Sequence, residues 1–236
     1  DFGFHHPAVT FSQMYECPQR STHMTLLREY LPEDRESEDL ADEVLERSKL
    51  WFPEHNPAFF IDCGDAAGAA VSEKGPGPII RLAQPPWNLR FRYRHVKDVD
   101  PGIAEVRKLL RTKCTCGHFL LEVDRECPEV IEMLNGGYHY PKDRYGVIKV
   151  DAKPAKDGYY DNIADSVRYA VWVLYRMARQ DEGFMANLER WQGPSEEANE
   201  LPSIFGWMGD WVGGEVDPDV LEQAHEVARL TGLRPE

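Results

Sequence analysis

Apolar residues recur at spacings of three and four through Ile163, Val167, Ala170, Val171, Leu174, Met177 and Ala178, which predicts an amphipathic helix of about five turns. Its start carries two carboxylates, Asp161 where an N-cap would stand and Asp165 one turn later. Upstream, Leu40, Val44, Leu45, Ser48 and Trp51 share one face of a helix opened by Ser37 and closed by Pro53. A third helix begins at Pro101-Gly102 with Ile103, Val106, Leu109 and Leu110 inward, and a short one runs over 128–134 to a turn at Gly136-Gly137. Extended segments are expected at 8–15, 22–30, 58–61, 79–82, 89–94, 119–123 and 146–150, bounded by Gly, Pro and polar turn residues. With Asp1 opening a strand of its own, the order reads β-β-β-α-β-(β)-α-β-α-β-α, a mixed α/β fold with a meander first and no internal repeats.

Beyond about residue 181 the periodicity weakens into Gly, Pro, Trp and acidic residues, so the chain divides into a domain over 1–180 and an acidic appendage over 181–236. Within the appendage, 220–230 could form one amphipathic helix. A length of 236 residues and 42% hydrophobic content allow a sizeable core without staples. There is no apolar run of 18 residues, and the first residues lack the basic start and apolar centre of a signal peptide. The expectation is a cytoplasmic protein with no membrane partner. Five cysteines, an odd number without secretory context, point to reduced thiols.

The formal charge of -14 argues against a nucleic-acid partner only until it is divided along the chain. Residues 181–236 carry 13 acidic and 3 basic side chains, whereas 76–113 hold nine basic residues (Arg81, Arg90, Arg92, Arg94, Lys97, Arg107, Lys108, Arg111, Lys113) against Asp98, Asp100 and Glu105. Arg90, Arg92 and Arg94 alternate with Phe91 and Tyr93, so a strand would set all three guanidinium groups on one face. Such a row suits phosphate contact, and equally a charged edge that guards against aggregation.

Acids recur at the ends of elements: Asp1 on the first strand, Asp65 or Asp62 after the fourth, and Asp161 with Asp165 at the last helix. Carboxylates are hard oxygen ligands suited to Mg²⁺ or Mn²⁺, and two ions about 3.5 to 4 Å apart can activate water and stabilise a leaving oxygen. Each acid also has an ordinary reading. Asp161 can be a cap, Asp65 a turn residue and Asp62 a strand end, while Asp161 and Asp165 share with Arg168, Trp172 and Arg176 a face that looks solvated. Asp1-Phe2-Gly3 is not read as a kinase motif, because no catalytic loop or Gly-rich loop precedes it. His5-His6 reads as a structural pair before Pro7. Cys114-x-Cys116-x-His118 with Cys127 offers four soft ligands, but the first gap is tighter than the usual two residues, and local reduced cysteines are the reading preferred.

Three stretches together resemble the nuclease domain of the large terminase subunit of tailed bacteriophages, a ribonuclease H-like fold. They are Asp1-Phe2-Gly3-Phe4-His5-His6-Pro7-Ala8-Val9, Ile61-Asp62-Cys63-Gly64-Asp65-Ala66-Ala67-Gly68, and Lys156-Asp157-Gly158-Tyr159-Tyr160-Asp161-Asn162-Ile163-Ala164-Asp165 running on to Tyr169. Weaker support comes from Gly102-Ile103-Ala104-Glu105-Val106-Arg107, and from Asp124-Arg125-Glu126-Cys127 with Gly137-Tyr138-His139-Tyr140-Pro141. The resemblance covers roughly 1–180. It implies a mixed sheet, an antiparallel meander followed by parallel strands, flanked by helices. It favours Asp65 over Asp62, because the family's Asp-Pro-Ala-Gly matches Asp65-Ala66-Ala67-Gly68. A nucleotide-binding Gly-x-x-x-x-Gly-Lys-Ser/Thr motif does not occur in these residues, and a start at the first catalytic acid suggests an excised fragment.

The resemblance implies an endonuclease that cuts concatemeric double-stranded DNA with two Mg²⁺ or Mn²⁺ ions, working beside an ATPase domain, a small terminase subunit and a portal. Asp1, Asp65 and Asp161 would hold the ions, with Asp165 an accessory or the true third ligand. The basic residues from Arg81 to Lys113, together with Lys156, would grip phosphates. A resolvase or transposase-type nuclease of the same fold, or a non-catalytic DNA-binding packaging module, would fit the same residues. The acidic appendage could dock over the basic zone.

Overall fold

The computed structural model describes residues 5–54, 60–72, 75–89, 91–93, 99–148 and 152–176. The expected strand around Asp1, the first half of that over 58–61, and the appendage lie outside the described residues, as do Arg90, Arg94 and Lys97.

Strands β1 (Val9–Glu16) and β2 (Thr22–Tyr30) form an antiparallel hairpin in register from Val9↔Tyr30 to Glu16↔Thr22, with one shift between Phe11 and Ser12. Such a bulge lets the strand twist over its neighbours. After helix α1 (Ser37–Trp51) come β3 (Asp62–Cys63), a 3₁₀ turn over Ala66–Ala69, the short hairpin β4 (Val71–Ser72) and β5 (Gly75–Pro76), and α2 (Pro78–Leu82). Strand β6 (Phe91–Arg92), helix α3 (Val99–Arg111), strand β7 (Leu121–Val123) and helix α4 (Pro128–Glu132) follow. A π-helical turn over Met133–Gly137 ends α4, and α5 (Tyr160–Tyr169) continues as a π-helical segment over Ala170–Tyr175.

The main sheet has the order β1-β2-β7, and β7 lies parallel to β2 with Met24 opposite Leu121. Strands β3 and β6 pair parallel in a second small sheet. The fold is therefore mixed α/β with an antiparallel hairpin joined by a parallel strand.

The core follows from period. Met24 and Leu26 of β2 are fully buried against Leu121 of β7, Leu109 of α3, and the stripe Ile163, Val167 and Val171 of the last helix. The burial of that stripe matches the spacing read from the sequence. The opposite face is not solvated as its polar residues implied: Arg168 is 4% exposed, because α3 packs over it.

Two expected strands take other forms. Residues 78–82 are helical, since Gly77-Pro78 starts a helix by placing proline where its missing N–H costs nothing, and four apolar or long side chains then wind readily. Around 146–148 there is one bridge, Lys142↔Ile148, on an exposed turn held by Asp143, whose Oδ1 accepts from the backbone N–H groups of Tyr145 and Val147. Short apolar runs carry no period by which to tell strand from helix or turn.

Candidate functional site

The first two stretches of the resemblance reach the third along α5 and the helical segment that continues it. From the first, the His6 backbone carbonyl accepts from Asn162 Nδ2 at 2.8 Å and the His6 ring lies edge-on to Tyr159, while Thr10 Oγ1, just beyond that stretch, lies 3.0 Å from Ser166 Oγ. From the second, β3 packs against the helical segment that continues α5. Asp65 stands just after β3 and caps the 3₁₀ turn, accepting from Ala67 N–H at 3.0 Å. The small residues that follow let the chain double back there.

Asp161 is not the cap of α5. That place belongs to Tyr159, and Asp157 stands two residues ahead of it, its Oδ1 accepting from the N–H groups of Tyr159 and Tyr160 at 2.9 and 2.8 Å. Asp161 lies inside the first turn, and its own Oδ1 accepts from Gly158 N–H at 2.7 Å. The spacing misled because Gly158, at φ 79°, lets the chain loop back before the helix proper, and the cap position falls two residues earlier, at Tyr159. Burial, then the neighbouring Asp157, raises the Asp161 carboxyl above its ordinary range. Asp157, though partly desolvated, is held below its range, chiefly by the backbone N–H of Tyr159.

Asp165 is bound internally: Arg168 donates to its Oδ1 from Nε at 3.1 Å and from Nη2 at 2.8 Å. Two tyrosines report where the acids sit. Burial pushes the Tyr169 hydroxyl up to about 12, with Asp165 and, more weakly, Asp65 acting in the same sense. Burial likewise pushes Tyr138 up to about 12, with Asp165 and then Asp161 contributing. Tyr169 is thus a shared neighbour of Asp165 and Asp65, and Tyr138 of Asp165 and Asp161. The hydrogen bonds described on Asp65, Asp161 and Asp165 all fall on Oδ1, and a carboxylate with one oxygen so oriented can offer the other to a hard cation. By themselves these three do not form a converging ligand set among the described residues; Asp1, the fourth expected acid, lies outside them.

The basic zone divides. Arg107, Lys108 and Arg111 are exposed on α3, with Lys113 just beyond and Lys156 exposed ahead of α5. Arg81 is engaged inside the protein, 2.7 Å from Glu38 and 2.7 Å from Ser37 Oγ, which fastens α2 to the start of α1. Arg92 lies half-buried on β6.

A second cluster does converge. Ligand atoms of Cys17, His23, Cys114 and Cys116 all lie within 4.8 Å of one another. Two tight turns deliver them. Between β1 and β2, Cys17 N–H bonds Ser21 O at 3.0 Å and Arg20 N–H bonds Cys17 O at 2.8 Å, with Arg20 left-handed at φ 57°. Between α3 and β7, Cys114 N–H bonds His118 O at 2.8 Å and Gly117 turns at φ 99°. The Cys114 thiol is drawn down to about 5, chiefly by the N–H of Cys116. The ligand set read from the sequence is corrected here: His118 turns outward to Glu122 at 3.2 Å, and Cys127 is buried in the main core. Cys17 and His23 replace them. Their five-residue gap carries no metal signature, and only the pairing of β2 with β7 brings them to Cys114.

No protein-family model, curated protein or solved structure matches the chain. Among the described residues no helix is long and apolar enough to cross a membrane.

Proposed function

We propose that this chain is a metal-dependent endonuclease domain of the phage-terminase type, with a ribonuclease H-like fold, acting on double-stranded DNA. One observation supports this reading above the others: two segments that lie more than ninety residues ahead of α5, each carrying an acid or adjoining one, pack along α5 and its continuation. The His6 carbonyl accepts from Asn162 Nδ2, and β3, which leads into Asp65, packs against the helical segment that continues α5. An amphipathic helix with capping acids would not require that convergence.

Asp65, Asp161 and Asp165, with Asp1, would hold Mg²⁺ or Mn²⁺, and the hard carboxylate donors suit those ions. Two such ions would supply an activated water and charge stabilisation for the leaving oxygen. The chain's own residues orient the acids. Arg168 fixes the Asp165 carboxylate, and Gly158 N–H fixes that of Asp161. Exposed Arg107, Lys108, Arg111 and Lys156 would hold the DNA backbone. By the same resemblance its partners would be an ATPase domain, a small terminase subunit and a portal.

Plasmid cleavage in Mg²⁺ or Mn²⁺ tests the proposal. The parent chain is expected to nick or linearise DNA and Asp65→Ala to lose that activity; an Asp65→Ala protein cutting at the parent rate would sink the assignment.

A further inference from the structure

We propose that Cys17, His23, Cys114 and Cys116 form a structural zinc site that fastens the β1–β2 turn to the loop between α3 and β7. The proposal is independent of the nuclease reading, since none of its residues belongs to the acidic constellation.

Two of the ligand-to-ligand distances match the edges of a zinc tetrahedron, and the four ligand atoms all lie within 4.8 Å of one another. Zinc bonds thiolate sulfur at about 2.3 Å and imidazole nitrogen at about 2.0 to 2.1 Å, so tetrahedral edges run about 3.8 Å between sulfurs and about 3.5 Å from sulfur to nitrogen. Here Cys17 Sγ lies 3.8 Å from Cys114 Sγ, and Cys116 Sγ lies 3.4 Å from His23 Nε2. A disulfide would require sulfurs about 2.0 Å apart, and all five cysteines are free thiols.

The surroundings orient the ligands as a metal site does. His23 Nδ1 lies 2.8 Å from Phe119 O, and a carbonyl can only accept, so Nδ1 carries the proton and Nε2 presents its lone pair to the cluster. Tyr15 stacks on the imidazole at 12°, fixing the ring plane. The Cys116 backbone N–H points to Cys114 Sγ at 3.5 Å, a donor that stabilises sulfur with thiolate charge. Cys17 and His23 are almost fully buried, which four-coordinate closure by protein ligands explains better than solvent-facing chemistry.

Donor type selects the ion. Three thiolates and one imidazole in a tetrahedron favour zinc over hard, six-coordinate Mg²⁺ or Mn²⁺. With no open position the site would not catalyse. It would instead hold the C-terminal end of α3, where Arg111 and Lys113 project.

Elemental analysis of the full chain, purified without chelator, is expected to give about one zinc per chain. Replacing the ion by Co²⁺ should produce the intense visible bands and sulfur-to-metal charge transfer of a tetrahedral thiolate site. Cys116→Ser should lose the ion and those bands, whereas His118→Ala, at an exposed histidine outside the set, should keep both. The cobalt spectrum of the parent chain needs no variant, so a misfolded Cys116→Ser protein would not rescue the idea. A parent chain that neither carries zinc nor takes up Zn²⁺ or Co²⁺ under reducing conditions overturns it. So does a mass showing a Cys17–Cys114 disulfide in the native protein, iron in place of zinc, or loss of the ion in His118→Ala.

Discussion

Arg168 directs two of its nitrogens at a single carboxylate oxygen of Asp165, one helical turn away, in a place where the arginine side chain is 5% exposed and the aspartate 26%. Removing one partner of a buried pair leaves the other charge uncompensated, which costs about 3 to 5 kcal/mol when burial is complete. Allowing for the partly exposed carboxylate, Asp165→Ala should cost about 2 to 4 kcal/mol. Asp161→Ala, whose described partner is a backbone N–H, should cost about 1 kcal/mol. Urea unfolding of both variants checks this, and equal losses would show that the guanidinium finds another acceptor. In the nuclease reading, Asp161→Ala should therefore lose cleavage while remaining folded.

Gly102 on α3 gives Arg168 its passage. A Cβ there would stand 2.6 Å from both Cγ and Cδ of Arg168. Replacing a helical glycine by alanine ordinarily gains about 0.5 to 1 kcal/mol, but overpacking a close-packed site costs about 1 to 3 kcal/mol. The clash falls on the stem of a pinned side chain, so Gly102→Ala should be net destabilising. A thermal midpoint at or above the parent's would contradict this.

Asp157 accepts from two backbone N–H groups at the start of α5, and Asp157→Ala should cost about 1 kcal/mol at neutral pH. The sign with pH follows from its lowered pKa. An acid more easily ionised when folded stabilises the protein above its unfolded pKa, about 3.9, and loses that contribution as pH falls through the lower folded value. The difference between parent and variant should accordingly shrink below about pH 4. A gap that stays constant down to pH 2 would assign the loss to packing.

The exposed basic face of α3 and the engaged Arg81 should part company in DNA binding. Arg107→Ala, Lys108→Ala and Arg111→Ala should each weaken binding and reduce the dependence of log affinity on log salt by about 1. Arg81→Ala should leave that slope unchanged and cost about 1 kcal/mol of stability through its lost contacts to Glu38 and Ser37. Filter binding across a salt series distinguishes the two classes.

Chelation with a strong zinc ligand should lower the thermal midpoint and raise amide exchange selectively around residues 15–24 and 112–120, the two turns that share the cluster. Exchange that changes equally across the core would mean that the ion supports the whole fold and not that junction.

What the sequence alone determined was periodic or locally signalled. The burial of Ile163, Val167 and Val171, the hairpin over β1 and β2, and α1 and α3 to within two residues all follow from spacing, because an amphipathic element has few ways to bury its stripe. The tertiary structure decided whatever depends on which elements lie side by side. It placed Asp161 inside the first turn of α5 and not at its cap, made Arg168 a buried partner of Asp165, turned residues 78–82 into a helix, and brought Cys17 to Cys114 across 97 residues of chain with His23 beside them. Spacing along a chain reports one element's faces. Convergence of side chains from three elements is set by sheet pairing and helix packing, which leave no period in the sequence to read.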